Sequence, residues 1–182
     1  MKRDVFRLIL VLLGLHLGIG QANAANEHLY LIPGLSYIAP DDNRRADKNS
    51  IPLGYQIGIG TRYDESFNLE LTLVADTITY QDETNKYGQL GVLLDALYFP
   101  WPDNEVSPYG VLGVGMLKTS IGAEKRQNPM ANIGVGFMNR LFLEGVMGLR
   151  GDVRYRMDET GFLGKKRFSD WLVNVSLIVP LQ

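Results

Sequence analysis

The chain has no cysteine. For an exported protein this excludes disulfide staples, thiol chemistry and an amino-terminal lipid anchor on cysteine. Histidine is almost as scarce, and only His28 lies beyond the first 24 residues. No serine stands in a recognisable motif beside it, so a nucleophile and base pair is not expected, and neither is an enzyme. No excess of positive charge is present: the formal net charge is −2, which argues against nucleic acid as a partner. Beyond the first twenty residues no apolar run reaches the roughly 20 residues that a spanning helix needs. No segment carries a helical period of apolar residues. Zinc, calcium and nucleotide signatures are missing as well. Gly-x-Gly recurs, but on strand-like segments rather than ahead of a helix. No metal and no cofactor are expected.

What is present begins with a targeting signal. Lys2, Arg3 and Arg7 form a positive start, Leu8 to Gly20 is apolar, and Ala22-Asn23-Ala24 is a small-x-small cleavage site. Residues 1–24 are therefore expected to be a cleaved signal peptide, and residues 25–182 the mature domain. Removing Lys2, Arg3, Arg7 and Asp4 leaves 15 basic and 19 acidic residues, a formal charge of −4.

The mature chain reads as strands. Glycine and aromatic residues recur throughout, and polar punctuation separates eight segments near 28–39, 53–63, 67–80, 87–99, 108–119, 130–139, 148–158 and 170–181. The stretch 140–147 fits least, because Leu141, Phe142 and Leu143 are apolar where a turn is needed. Four hairpins in series make an up-and-down meander, which removes its unpaired edges by closing into a barrel. With eight strands the lumen is only wide enough to be filled by side chains.

Each strand has one lipophilic face and one mixed face. The clearest case is 149–158, where Arg150, Asp152, Arg154, Arg156 and Asp158 alternate with Leu149, Gly151, Val153, Tyr155 and Met157. Alternation alone does not tell inside from outside. A soluble lipocalin-like barrel points its apolar face inward, whereas a membrane barrel wears it as an outer band. Three features favour the membrane arrangement. Glycines gather on the mixed face (Gly58 and Gly60, Gly113 and Gly115, Gly134 and Gly136), as a crowded lumen requires. Mixed-face charges of both signs are available to pair, as buried charges must: Arg62, Arg150, Arg154 and Arg156 against Glu70, Asp76, Asp95, Asp152 and Asp158. Aromatics also cluster at strand ends, with Tyr63, Phe67, Tyr98, Trp101 and Tyr109 expected at one rim. Tyr37, Tyr80, Tyr87, Phe168 and Trp171 are expected at the other. The fold class that follows is an all-β, eight-stranded antiparallel up-and-down transmembrane β-barrel. Its lumen is closed by a network of Arg62, Glu70, Asp76, Asp95, Arg150, Asp152, Arg154 and Arg156. A salt-bridged plug is favoured over an ion path.

Several segments resemble the eight-stranded barrel domain of the outer-membrane protein A family and its small relatives. Pro108-Tyr109-Gly110-Val111-Leu112-Gly113-Val114-Gly115 is similar to the strand after that family's second periplasmic turn. Asn132-Ile133-Gly134-Val135-Gly136-Phe137 is similar to the next one. Leu149 to Arg156 resembles its charged penultimate strand. Ile59 to Tyr63 with Asn68 to Leu71 resembles its first periplasmic hairpin. The resemblance runs from about 28 to 181. It implies residence in the outer membrane of a Gram-negative bacterium, both termini in the periplasm, three short turns, and exposed loops at 40–52, 81–86, 120–129 and 159–169. It further implies contact with lipid, with lipopolysaccharide and with the outer-membrane assembly machinery. The family's closing aromatic has no counterpart in Val179-Pro180-Leu181-Gln182, and no peptidoglycan-binding domain follows, so a cell-wall anchoring role does not carry over.

The expected loops hold basic residues able to meet phosphates: Arg44 and Arg45, Lys125 and Arg126, and Lys165, Lys166 and Arg167. Neighbouring acids such as Asp41, Asp42, Glu124 and Glu159 offer the plainer account of ordinary solvated charge. The expected role is structural or adhesive, as a monomer, with two alternatives left open: an outer-membrane lipid-modifying enzyme and a soluble periplasmic ligand-binding barrel. A gel decides between membrane barrel and soluble carrier. A folded membrane barrel is expected in the outer-membrane fraction, with unheated and boiled samples migrating differently in detergent; recovery in the periplasmic fraction would establish the soluble alternative.

Overall fold

A computed structural model describes residues 29–42, 51–79, 86–121, 124–139, 147–159 and 167–181. The proposed leader, His28 and the awkward stretch 140–146 lie outside them. Eight strands follow in order: β1 Leu29–Ala39, β2 Leu53–Arg62, β3 Phe67–Thr79, β4 Lys86–Tyr98, β5 Val106–Ile121, β6 Glu124–Asn139, β7 Gly148–Asp158 and β8 Phe168–Pro180. Each pairs antiparallel with its neighbours in sequence, and β8 returns to β1 to close the barrel. The Leu181 amide donates to the Leu29 carbonyl (2.9 Å) at the seam, so both termini leave from one end.

That end also carries the tight turns. Between β2 and β3 the Asp64 carboxylate accepts from the backbone amides of Ser66 (2.7 Å) and Phe67 (2.8 Å), a local side-chain turn that Asp favours. Between β4 and β5 the hydroxyl of Ser107 donates to the Asn104 carbonyl (2.8 Å).

One boundary differs from expectation. Residues 120–129 were expected to form a loop, yet β5 runs to Ile121 and β6 begins at Glu124. Pairing continues from Met116↔Pro129 to Ile121↔Glu124. The charged, proline-containing composition suggested a loop because Glu124 to Gln127 are exposed. These residues pair through their backbones, and no buried face imposes an apolar alternation.

The apolar face points outward. Leu35, Tyr55, Ile57, Leu73, Leu90, Leu112, Val114, Ile133, Val135, Phe137, Val173 and Val175 are all exposed. An apolar belt on every strand is far larger than the patches a water-soluble monomer tolerates. It is the outer band of a transmembrane barrel, which a strand rising about 3.3 Å per residue crosses in 10–12 residues at the usual tilt. The inner face is buried and mixed. Apolar clusters sit toward the two ends: Tyr30, Ile32, Leu97, Phe99, Tyr109, Val111, Met138 and Ile178 near the termini, and Ile38, Ile78, Phe168 and Leu172 near the opposite mouth.

The two aromatic rims need correction at two positions. Tyr63, Phe67, Tyr98 and Trp101 at one end and Tyr37 and Trp171 at the other are exposed as expected. Tyr109 and Phe168 are instead buried in the lumen, because each shares the inward parity of its strand. Tyr80 and the side chain of Tyr87 lie outside the described residues.

Glycine on the inner face answers a measurable crowding. A Cβ on Gly113 would collide with the Asp95 carboxylate and the Asn132 amide, whereas one on Gly110 would meet nothing within 4 Å. Gly113→Val is therefore expected to lower stability by about 1–3 kcal/mol, the usual effect of overpacking, and Gly110→Ala to leave it unreduced. Urea unfolding of both variants in detergent micelles checks this.

Candidate functional site

The site is the lumen itself, and β7 supplies most of its charge. Strict alternation turns Arg150, Asp152, Arg154, Arg156 and Asp158 inward, while Val153 stands exposed and Leu149, Tyr155 and Met157 are half-buried on the outer face. Tyr155 packs against Trp171 of β8 on that side, ring centres 5.1 Å apart.

Each arginine spans the barrel to strands on the far side. Nearest the termini, the Arg150 guanidinium donates to both oxygens of Glu70 on β3, each at 2.7 Å. In the middle, Arg154 grips Asp152 through Nε (2.7 Å) and Nη2 (3.3 Å) and reaches Asp95 on β4 through Nη1 (2.6 Å). Toward the opposite mouth, Arg156 reaches Asp76 on β3 (2.5 Å), Gln89 on β4 (2.8 Å) and Asp170 on β8 (3.1 Å). Forked donors on a planar guanidinium make this sharing possible, as the single ammonium of lysine does not.

Neutral groups complete the set. The Tyr30 hydroxyl donates to Glu70 (2.9 Å) and accepts from the Asn68 amide (2.9 Å). Tyr109 and Asn174 both donate to Asp152, each at 2.6 Å, and Asn132 donates to Asp95 at 3.0 Å. Asp152 is thus a hub, holding Arg154, Tyr109 and Asn174 by hydrogen bonds with the Arg150 Nε 3.6 Å away.

Seven of the eight residues expected in the network belong to it. Arg62 does not: it is exposed. It has the inward parity of Gly60 but is the last residue of β2, where the barrel has opened to its surroundings. The expected balance of sign shifts with it. Among the described residues the buried charges are three arginines against Glu70, Asp76, Asp95, Asp152, Asp158 and Asp170, and each of the three arginines meets two carboxylates. Sequence reasoning missed Asp170, Tyr30 and Tyr109. All three were recoverable by continuing the inward parity one or two steps beyond the residues that define it: Asp170 from Leu172 and Asn174, Tyr109 from Val111 and Gly113.

The basic residues expected to meet phosphate divide. Arg44, Arg45, Lys165 and Lys166 lie outside the described residues. Lys125 and Arg126 are exposed, on β6 rather than in a loop, and Arg126 lies 3.8 Å from Glu124. Arg167 is exposed and donates to Glu159 (3.2 Å). Lys118 on β5 was overlooked. It is exposed on the same outer face as Val114 and Met116 and stands opposite Gln127, two register positions from the Ser120↔Lys125 pair.

No protein-family model matches the sequence, and no curated protein matches it. Solved structures do. Neisserial surface protein A superposes with a TM-score of 0.62 at 12% identity, over 84% of this chain and 97% of that one. The N-terminal β-barrel domain of OprF from Pseudomonas aeruginosa gives 0.51 at 16% identity, over 85% and 98%. The chain has the fold of the small outer-membrane β-barrels. The outer membrane enzyme PagL is a further match, with a TM-score of 0.51 at 12% identity over 82% and 99%. A barrel of this kind is therefore a scaffold whose chemistry is decided by its side chains.

Arg154→Leu tests the hub. It leaves Asp95 and Asp152 buried without their shared guanidinium, and breaking such a pair costs about 3–5 kcal/mol. A clear fall in the urea midpoint is expected. Arg167→Leu, which removes only an exposed pair, should change stability by less than about 1 kcal/mol.

Proposed function

We propose that the protein is an integral barrel of the outer membrane with a structural or surface-contact role, non-enzymatic, and closed to ions and solutes. The observation that carries this reading is the filled lumen. Ion pairs cross it at three levels, and apolar clusters lie toward both ends. A conducting pore needs a continuous wet path with sites an ion can leave, and short charge-assisted bonds such as Arg154 to Asp95 oppose one. The buried charges are committed to holding the wall, which leaves the exposed end and the outer belt as the parts that face other molecules.

Its partners on this reading are the lipids around the belt and the phosphates of lipopolysaccharide in the outer leaflet. Lys118 and Lys125 support the second. They occupy the outward parity directly beyond the apolar run of Leu112, Val114 and Met116, at the height where a strand leaves hydrocarbon for headgroups. The assembly machinery of the outer membrane is a third expected partner.

Two measurements test the proposal. Purified barrel added to a planar lipid bilayer is expected to give no stepwise conductance, and stable porin-like steps would overturn the closed lumen. Lys118→Ala with Lys125→Ala is expected to weaken lipopolysaccharide binding several-fold. Unchanged binding would remove these lysines from the contact.

A further inference from the structure

Seven of the eight joints between neighbouring strands are unbroken among the described residues. The joint between β1 and β8 is not. Its register runs through Tyr30↔Pro180 and Leu31↔Val179 and resumes at Gly34↔Ser176, skipping Ile32 and Pro33. Proline is the cause. The Leu181 amide donates to the Leu29 carbonyl, so the odd-numbered residues of β1 turn their backbone groups toward β8. Pro33 is one of them, opposite Leu177, and it has no N–H to give. The Leu177 carbonyl therefore faces a strand that cannot answer it. Pro33 stands exposed between Leu31 and Leu35 of the apolar belt, and in hydrocarbon no water stands in for the missing donor.

Two further observations set this joint apart. β1 and β8 are the first and last strands, so no turn or loop ties them, whereas every other pair of neighbours is consecutive in the chain. The joint is also fastened at separate points. At one end the Leu181 amide holds Leu29 (2.9 Å). At the other the Asp41 amide donates to the Asp170 carboxylate (3.0 Å), and the Asp41 carboxylate accepts from the Ser169 amide (3.0 Å). Between them, beside the break, the Gln56 amide on β2 donates to the Ser176 hydroxyl on β8 (2.5 Å). This bond crosses over Gly34 of β1, which is in register with both residues. A Cβ on Gly34 would collide with the two groups that make it.

We propose that the β1–β8 joint is a latched seam: the barrel wall opens locally at Pro33 before it opens elsewhere, and the Gln56–Ser176 bond is the latch. Local opening follows the bonds that must be broken and the chain that must be moved. At Pro33 one ladder bond is already missing, and no turn has to be strained. The fastenings at the two ends confine the opening to a slit between them, so the seam parts in its middle while the barrel stays closed at both rims.

Hydrogen exchange of backbone amides, followed by NMR on the folded wild-type barrel in micelles, tests this. The amides of Leu35 and Leu177 face the seam. Those of Ile57 and Leu73 face the β2–β3 joint at a matching height, since Pro33 is in register with Ile57 and Ile57 with Leu73. The seam amides are expected to exchange about tenfold faster, as the absence of one hydrogen bond implies. Pro33→Ala supplies the missing N–H and should slow Leu177 toward the rate of Ile57. Gln56→Leu removes the latch and should speed Leu35 and Leu177 several-fold with Ile57 and Leu73 unchanged. Heat-shifted gel migration shows whether each variant is folded, and the wild-type comparison decides the question should a variant not fold. Equal protection at the two joints in wild type, or an unchanged Leu177 rate in folded Pro33→Ala, overturns the seam. Equal acceleration at both joints in folded Gln56→Leu overturns the latch.

Discussion

Everything in this barrel depends on keeping charge inside a space too narrow for bulk water. An isolated buried ion is costly, and a buried pair survives only when its remaining donors and acceptors are also met. The structure meets that condition by placing all three described buried arginines on β7 and most of their carboxylates on β3 and β4, across the ring. Each arginine also has a local carboxylate, Asp152 on β7 or Asp170 on β8, but its bridge to β3 or β4 is a diameter, and the three such bridges cross the ring. They tie together strands that share no backbone hydrogen bond, and they set how far apart opposite walls can stand. A wider lumen would pull Arg154 from Asp95, and a narrower one would have no room for either.

Room is made by glycine in a regular way. Glu70 stands in register with Gly60, Asp76 with Gly54, Asp95 with Gly113 and Asp152 with Gly136. Each of these carboxylates has a neighbour without a side chain on the adjoining strand. The space is occupied at once: Tyr30 lies over Gly60, and Tyr109 reaches over Gly136 to Asp152. A phenol thus fills the volume, shields the carboxylate and supplies it with a hydrogen bond. The same arrangement explains why two rings near the termini end of the barrel face inward while Tyr63 and Tyr98 face outward.

Much of this was legible in the chain. A period of two with charges on one face located the strands and placed Arg150 to Asp158 together, and glycine on the charged face told inside from outside. Parity failed only where a strand outlasts the barrel wall, as at Arg62, which points nowhere buried, and at Glu124 to Gln127, which pair beyond it. The pairing of glycine with acid was not legible, because it depends on register between strands, and a shift of one residue would have turned every partner to the opposite face. Nor could the sharing of Asp152 among Arg154, Tyr109 and Asn174 be read, since these residues come together only on closure.

Register also brings Glu70 directly opposite Asp95 on the β3–β4 hairpin. Like charges across a strand pair oppose that pairing, so the hairpin carries a local conflict that its own sequence does not resolve. Resolution comes from β7, where Arg150 takes Glu70 and Arg154 takes Asp95, 80 and 59 residues further along the chain. A half-formed barrel that has β3 and β4 in place but not β7 is thereby penalised, and the completed ring is favoured over its fragments. The charge arrangement thus couples the first half of the chain to the last: the like-charge conflict on the β3–β4 hairpin is relieved by arginines that only the closed ring brings to it.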